Sequence, residues 1–480
     1  MSEGARIAQP VGAGGRGASL ERAMPGVGGL LLTLSNITPA ASVFVIGSQV
    51  IAEAGSGAIW SFVFAAAICV PVALAYAELS SAFPVAGQEY SLVGKTLGPP
   101  FGFAALGLNV LGGAFSQAVT ALGLAVYLAI AVPGVPVLAT AIGATAACTL
   151  IAILNIRVNA LVTGLFLFCE LASLGAVAWL GLSHPARGIG AVLLHPLARS
   201  AAGGLLPASV STIAIGAAGA IFAFSGFGSA VSFGEEIVKV RSRIGWVIVL
   251  ALLLAAVFEV TPILGVVLGA PGLPALLAKA SPVTAFIFEG GALFARLVAV
   301  GVAIAIFNAM IATSLINARQ VFAAGRDKAW PAPLNRFAVL VHPRLRSPWP
   351  ATLFGGVLTA AMCLMRLQDL VLLTATGLLG TYAMVAAGAL RGRLTGASAQ
   401  ASWRAPAGKA VFLLALAGVL AIAWAEWEDR ATGRPSLLAN LAIMAAFALY
   451  WALFARRKGV WAFTGPGGAL LVGPSAEARP

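Results

Sequence analysis

The chain has 480 residues, of which 60% are hydrophobic and only 9% charged, with a formal net charge of +13. Soluble globular domains carry about 25% charged residues, so this composition excludes a water-soluble domain and indicates an integral membrane protein. A basic balance can signal nucleic-acid binding, but here Lys and Arg concentrate on one side of the apolar runs, the positive-inside bias of a membrane protein, which decides against a nucleic-acid partner.

Taken in chain order, residues 1–24 are Gly- and Ala-rich with scattered Arg and no apolar stretch. That is the pattern of a disordered tail, not of a signal peptide. Twelve apolar runs follow, each near the roughly 20 residues needed to cross a bilayer. They lie at 27–54, 58–83, 101–131, 135–155, 158–182, 207–236, 244–269, 291–318, 349–367, 370–390, 409–427 and 436–455. They are called spans one to twelve below. The tail 457–480 closes the chain. Three links carry structural signals. Residues 85–98, with Gly87, Glu89, Tyr90 and Lys95, read as a short interfacial helix, and 273–290, with Lys279 and Glu289, as an outer helical loop. Residues 319–350, basic and rich in proline, read as a lid or a membrane-surface anchor.

Lys and Arg concentrate in alternate links: Lys239, Arg241 and Arg243, then 319–346, 391–409, and Arg456, Arg457 and Lys458. The positive-inside rule places these links, and both termini, in the cytoplasm of a multi-pass cell-membrane protein. The four cysteines (Cys69, Cys148, Cys169, Cys363) fall inside spans without C-x-x-C spacing and read as small buried apolar residues.

Two spans cannot be continuous helices. Span one contains Thr38-Pro39-Ala40-Ala41-Ser42, and span six contains Ser225-Gly226-Phe227-Gly228-Ser229. Proline lacks an amide hydrogen and glycine weakens helix. In hydrocarbon such breaks survive only where they line a cavity inside the protein. Spans one to five (about 25–182) and six to ten (about 207–392) enter the bilayer from opposite sides, each opening on a broken helix. That is the pattern of an inverted repeat with a site at the breaks. The expected fold is all-α, 5+5 inverted spans, with spans eleven and twelve (393–456) framing the core or pairing two copies.

Three stretches carry a resemblance. Residues 77–90 read AELSSAFPVAGQEY; residues 222–227 read FAFSGF, followed by Glu235 and Glu236; residues 317–327 read NARQVFAAGRD, ending near Pro331. In this order and spacing they resemble the amino acid–polyamine–organocation permeases. The resemblance implies a leucine-transporter-like fold and secondary transport of an amino acid or related amine by alternating access.

In a broken helix the first half ends in free carbonyls, which attract an ammonium, and the second begins with free amides, which attract a carboxylate. Under that reading the Ile37 and Thr38 carbonyls face the amine of an amino acid, and the Ala40, Ala41 and Ser42 amides face its carboxylate. The family's usual Gly-Ser-Gly is here Ala40-Ala41-Ser42, which narrows backbone approach. On span six the expected contacts are Phe222, Ala223, Phe224, Ser225, Gly226 and Phe227, with Phe222 at the position of the family's gating aromatic. Where relatives often carry an acid the chain has Gly228, which favours a neutral or apolar amino acid over a cationic one.

Ionisable residues within a membrane are functional by default. Glu170 in span five and Glu259 in span seven are the candidates for proton coupling. Glu259 could instead satisfy the Phe258 carbonyl freed by Pro262. Sodium is the competing ion, with Asn308, Thr313 and Ser314 on span eight as oxygen donors; exchange without an ion is a third mode. No cofactor is implied. At the inner helix ends, Glu78 and Glu236 are gate candidates alongside Phe222, whereas Glu235 is expected to pair locally with Lys239. Arg366 and Asp369 read as a surface pair.

Other classes fare worse. Gly12-x-Gly14-x-x-Gly17 matches a dinucleotide fingerprint but has no strand before it. His184, His195 and His342 are scattered in links, so no catalytic or metal constellation is visible, and an intramembrane enzyme is disfavoured. A channel would need polar rings around a pore. A non-transporting sensor on the same scaffold stays open.

Overall fold

The computed structural model describes residue 20, residues 24–132, 134–200, 203–457, 461–464 and 470–472. The glycine fingerprint at 12–17 and most of both expected tails lie outside them. The expected twelve spans all form helices. Among the described residues nine segments are long and apolar enough to cross a membrane; one of them, Gly26–Ala82, contains spans one and two. Val137–Ala152 and Trp349–Met362, spans four and nine, are shorter apolar helices.

Span one is broken where Pro39 required it. Gly26–Ile37 ends at Thr38, which is left-handed (φ 54, ψ 68); a three-residue turn Pro39–Ala41 and a π-helical stretch Ser42–Gly47 lead into Ser48–Ala54. Span six runs Val210–Ala223, breaks at Gly226 (φ 109), and resumes as a 3-10 helix Phe227–Phe233. The link 85–98 forms the expected short helix, Gln88–Thr96, called the interfacial helix below, and the link 273–290 forms Leu273–Leu277 and Pro282–Ile287.

The eighth span does not stop at 318. It runs unbroken over Ala292–Arg326, about 50 Å at 1.5 Å per residue, longer than the roughly 30 Å hydrocarbon core. Its last turns carry the helix on into the basic link 319–350. Arg319 and Arg326, seven residues apart, project from one face there.

Membrane folds turn their apolar surface outward. Phe168 and Trp179 on span five are 71% and 74% exposed, while Thr163 and Glu170 on the same helix are fully buried. Helices approach closely where side chains vanish. A Cβ on Gly181 of span five would lie 1.9 Å from the Gly265 carbonyl oxygen of span seven, the close contact that small residues permit between membrane helices. Gly181→Ala is expected to force these helices apart and cost about 1–3 kcal/mol, read as a lower unfolding temperature in detergent.

Spans eleven and twelve lie against the core with few buried residues. Asn440 donates to Thr376 at 2.8 Å and Ser436 lies 2.7 Å from the same hydroxyl, tying span twelve to span ten. Part of the expected carboxyl-terminal tail is docked. Phe463 is buried on Tyr90, Trp461 Nε1 donates to the Tyr90 hydroxyl at 2.8 Å, and Thr464 donates to Asp327 at 2.7 Å. Burial raises the Asp327 carboxyl to about 6, with Arg326 pulling the other way. Met24, at the end of the expected amino-terminal tail, likewise pairs with Ile237.

Candidate functional site

The two breaks meet. A Cβ on Gly226 would lie 2.8 Å from Asn36 Nδ2 and 3.3 Å from the Asn36 carbonyl oxygen. Glycine therefore supplies both the left-handed turn and the room for span six to rest on the end of the first half-helix. A cavity of about 180 Å³ runs from this crossing to the interfacial helix. Asn36, Phe222, Ser225 and Gly226 line it at the breaks, Tyr76, Asn109 and Tyr382 along its wall, and Gln88, Glu89 and Gln320 at the far end.

Of the expected span-six contacts, Phe222, Ser225 and Gly226 line this cavity. Phe224 and Phe227 do not. Phe224 packs edge-on against Phe62 at 5.8 Å, and Phe227 stacks on Tyr382 at 5.5 Å with Tyr76 edge-on at 5.8 Å. Phe224 caps the first half-helix of span six and turns toward span two, whereas Phe227 opens the 3-10 helix after Gly226 and supports the two tyrosines that face the cavity. Ala223 offers its carbonyl to the Ser42 hydroxyl at 2.9 Å.

Span one reaches the cavity through Asn36. Ile37, Thr38, Ala40, Ala41 and Ser42 are not among the lining residues. The amides assigned to a carboxylate are partly taken: Ser42 donates to the Thr38 carbonyl at 3.0 Å, and Ala40 donates to Glu170 Oε1 at 2.8 Å. The single left-handed residue at Thr38 closes the break so tightly that helical bonding resumes within one turn.

Glu170 and Glu259 both come to the second half of this break. Each is fully buried, and they lie within electrostatic reach of each other with Ser42 beside Glu259. Glu170 Oε2 and both Glu259 oxygens have no hydrogen-bond partner, so Glu259 does not satisfy the Pro262 kink as expected. The sodium candidates have hydrogen-bond partners of their own. Thr313 donates to Asn36 Oδ1 at 3.1 Å, Ser314 accepts from Gln117 at 2.6 Å, and Asn308 donates to Ser35 at 2.9 Å with its own Oδ1 unpartnered.

At the basic end three buried glutamates are each held by an arginine. Glu78 takes Arg393 Nε at 2.8 Å and Nη2 at 2.5 Å, Glu236 takes Arg319 Nε at 2.5 Å and Nη2 at 2.8 Å, and Glu235 takes Arg326 at 2.7 Å twice. The partner of Glu235 is thus Arg326 on the extended span eight, not Lys239. Lys239 is itself left-handed (φ 55), so the helical spacing assumed for the local pair does not exist there. Such bidentate, charge-assisted pairs are the strong form of the ion pair. Arg366 and Asp369 form the exposed pair expected, at 3.0 Å.

Glu89 is the acid that sequence reasoning left in the interfacial helix and the fold brings to the cavity. Tyr76 Oη donates to its Oε1 at 2.7 Å and Asn109 Nδ2 to its Oε2 at 2.8 Å. The available signals were carboxamides inside apolar runs (Asn36, Asn109, Asn317) and a lone acid after a glycine.

The amino acid permease family model matches residues 27–470. The chain belongs to the amino acid permease family. It is a multi-pass membrane transporter of the amino acid–polyamine–organocation superfamily, not an enzyme, and its substrate is a small molecule such as an amino acid. Among relatives of the permease, the branched-chain amino acid permease BcaP of Bacillus subtilis is 25% identical over 366 residues, 72% of this chain and 75% of that one. The methylthioribose transporter of the same organism is 26% identical over 379 residues, 76% and 80% of the two chains. The crystal structure of MhsT in complex with L-phenylalanine superposes with a TM-score of 0.58 at 15% identity, covering 84% of the permease and 98% of that chain. That likeness establishes the leucine-transporter-like fold.

Proposed function

We propose that the permease carries a neutral or apolar amino acid inward across the cell membrane by proton-coupled symport, with both termini cytoplasmic. The observation that carries this reading is the bond from the Ala40 amide to Glu170 Oε1 at 2.8 Å in a fully buried setting. That amide begins the second half of span one, where a substrate carboxylate would be attracted. Two carboxylates cannot share such a site at low dielectric without severe repulsion. Substrate binding therefore requires Glu170 in its protonated, neutral form, so that a proton and the substrate are carried together. Glu259, beside Ser42, is the second acid of this site. Asn36, Phe222 and Ser225 form the substrate-facing end, with Phe222 placed to close over it.

Radiolabelled leucine uptake into proteoliposomes tests the coupling. Accumulation is expected under an inward proton gradient and not under a sodium gradient; with neither, only exchange against internal leucine is expected. Accumulation on sodium alone would move the coupling to the oxygens of span eight. A second reading has one observation in its favour: with Ala40 already capped, and amides and hydroxyls along the cavity wall, the site also suits a solute without a carboxylate. The name of the methylthioribose transporter points the same way. Thermal-shift screening against amino acids and methylthioribose separates the two, since a ligand stabilises the state that it binds.

A further inference from the structure

Four glutamates are buried near the basic end of the bundle: Glu78, Glu89, Glu235 and Glu236. Three are neutralised by bidentate arginines. The fourth, Glu89, has no arginine or lysine partner among the described residues, and it is the one of the four that lines the cavity. Among the described residues the cavity wall otherwise carries no Asp, Glu, Lys or Arg.

The groups that do touch Glu89 are both donors. The Tyr76 hydroxyl meets one oxygen and the Asn109 carboxamide the other. Two donors on two oxygens suit an ionised acceptor, which can take both bonds and still accept more. Each carboxylate oxygen retains lone pairs for a further bond. A buried carboxylate without a countercharge is costly, and a cation arriving through the cavity removes that cost. Burial raises the Glu89 carboxyl above its ordinary range, while its bonds to Tyr76 and Asn109 pull it back.

We propose that Glu89 is the cation subsite of the cavity, pairing with a primary ammonium group of the transported solute at the end of the cavity away from the helix breaks. The ligand class is a small molecule bearing one protonated primary amine. This rests on the amino-acid reading for the physiological substrate, but the subsite itself needs only the amine. It also supplies the negative charge that Gly228 does not, delivered from the interfacial helix instead of span six.

Three leucine-shaped probes test it on the purified full chain: L-leucine, 3-methylbutylamine, which lacks the carboxylate, and 4-methylpentanoate, which lacks the amine. For the wild-type permease, 3-methylbutylamine is expected to displace labelled leucine and 4-methylpentanoate to leave it bound. In Glu89→Gln, which keeps the side-chain shape, leucine affinity is expected to fall tenfold or more and 3-methylbutylamine binding to be lost, while Glu89→Asp retains part of both. Displacement by 4-methylpentanoate but not by the amine in wild type, which needs no variant, overturns the subsite. So does leucine binding within threefold of wild type in a Glu89→Gln protein whose ligand-free unfolding temperature is unchanged. If wild type binds 3-methylbutylamine through Glu89 but no amino acid, the subsite stands and the amino-acid reading falls. If leucine binds independently of Glu89, the reverse holds.

Discussion

Arg319→Ala is expected to lower stability by about 3–5 kcal/mol, the cost of leaving a buried charge without its partner. Glu236 is 1% exposed and Arg319 2%. The guanidinium gives two bonds to Glu236 and a third to the Leu315 carbonyl at 2.8 Å, and it lies 5.1 Å from the Phe233 ring centre. Alanine removes all of these at once and strands the carboxylate between spans six and eight. Thermal unfolding in detergent reads the loss. The double variant Arg319→Met with Glu236→Met provides the control, because replacing both members of a buried pair by apolar residues is often neutral or stabilising. Recovery of most of the lost stability in the double variant would show that the single variant fails through the orphaned charge. If the pair is also a gate, the double variant should fold yet show altered exchange rates, since it joins the end of a broken helix to a long rigid one.

The breaks, the apolar spans and the helix at Gln88–Thr96 were legible because each has a local cause. Pro39 has no amide hydrogen, Gly226 tolerates a positive φ, and an apolar run of sufficient length has few alternatives to helix. What could not be read was direction. The pattern FAFSGF marks aromatic residues near a break, but which of them faces the cavity depends on where the α-helix ends (Phe222 inside it, Phe224 capping it) and on the 3-10 winding that carries Phe227. The pairing of Glu235 failed for a related reason. The i,i+4 rule presumes a helix, and here the chain turns left-handed at Lys239 while span eight carries Arg326 out to meet the acid from far along the sequence. Glu89 was legible as an acid and not as a cavity residue, since only the packing of the interfacial helix under spans two and three puts it against Tyr76 and Asn109.

Glu170→Gln is expected to abolish proton-driven accumulation while leaving leucine exchange within a few fold of wild type. Glutamine keeps a carbonyl oxygen where Oε1 accepts from Ala40 at 2.8 Å, so the break stays capped, but it holds no titrating proton. The transporter then loses its link to the gradient without losing its site, and the ratio of internal to external leucine falls to about one. Glu170→Ala differs in kind. It leaves the Ala40 amide buried and unpaired, a cost of about 1–3 kcal/mol, and both exchange and stability should suffer. Glu259→Gln discriminates between the two acids. Its oxygens have no hydrogen-bond partner, so the substitution disturbs little structure, and accumulation should persist if Glu170 carries the proton. If accumulation instead vanishes in Glu259→Gln and survives in Glu170→Gln, the proton travels on span seven, and the cap on Ala40 is a structural bond that substrate never displaces.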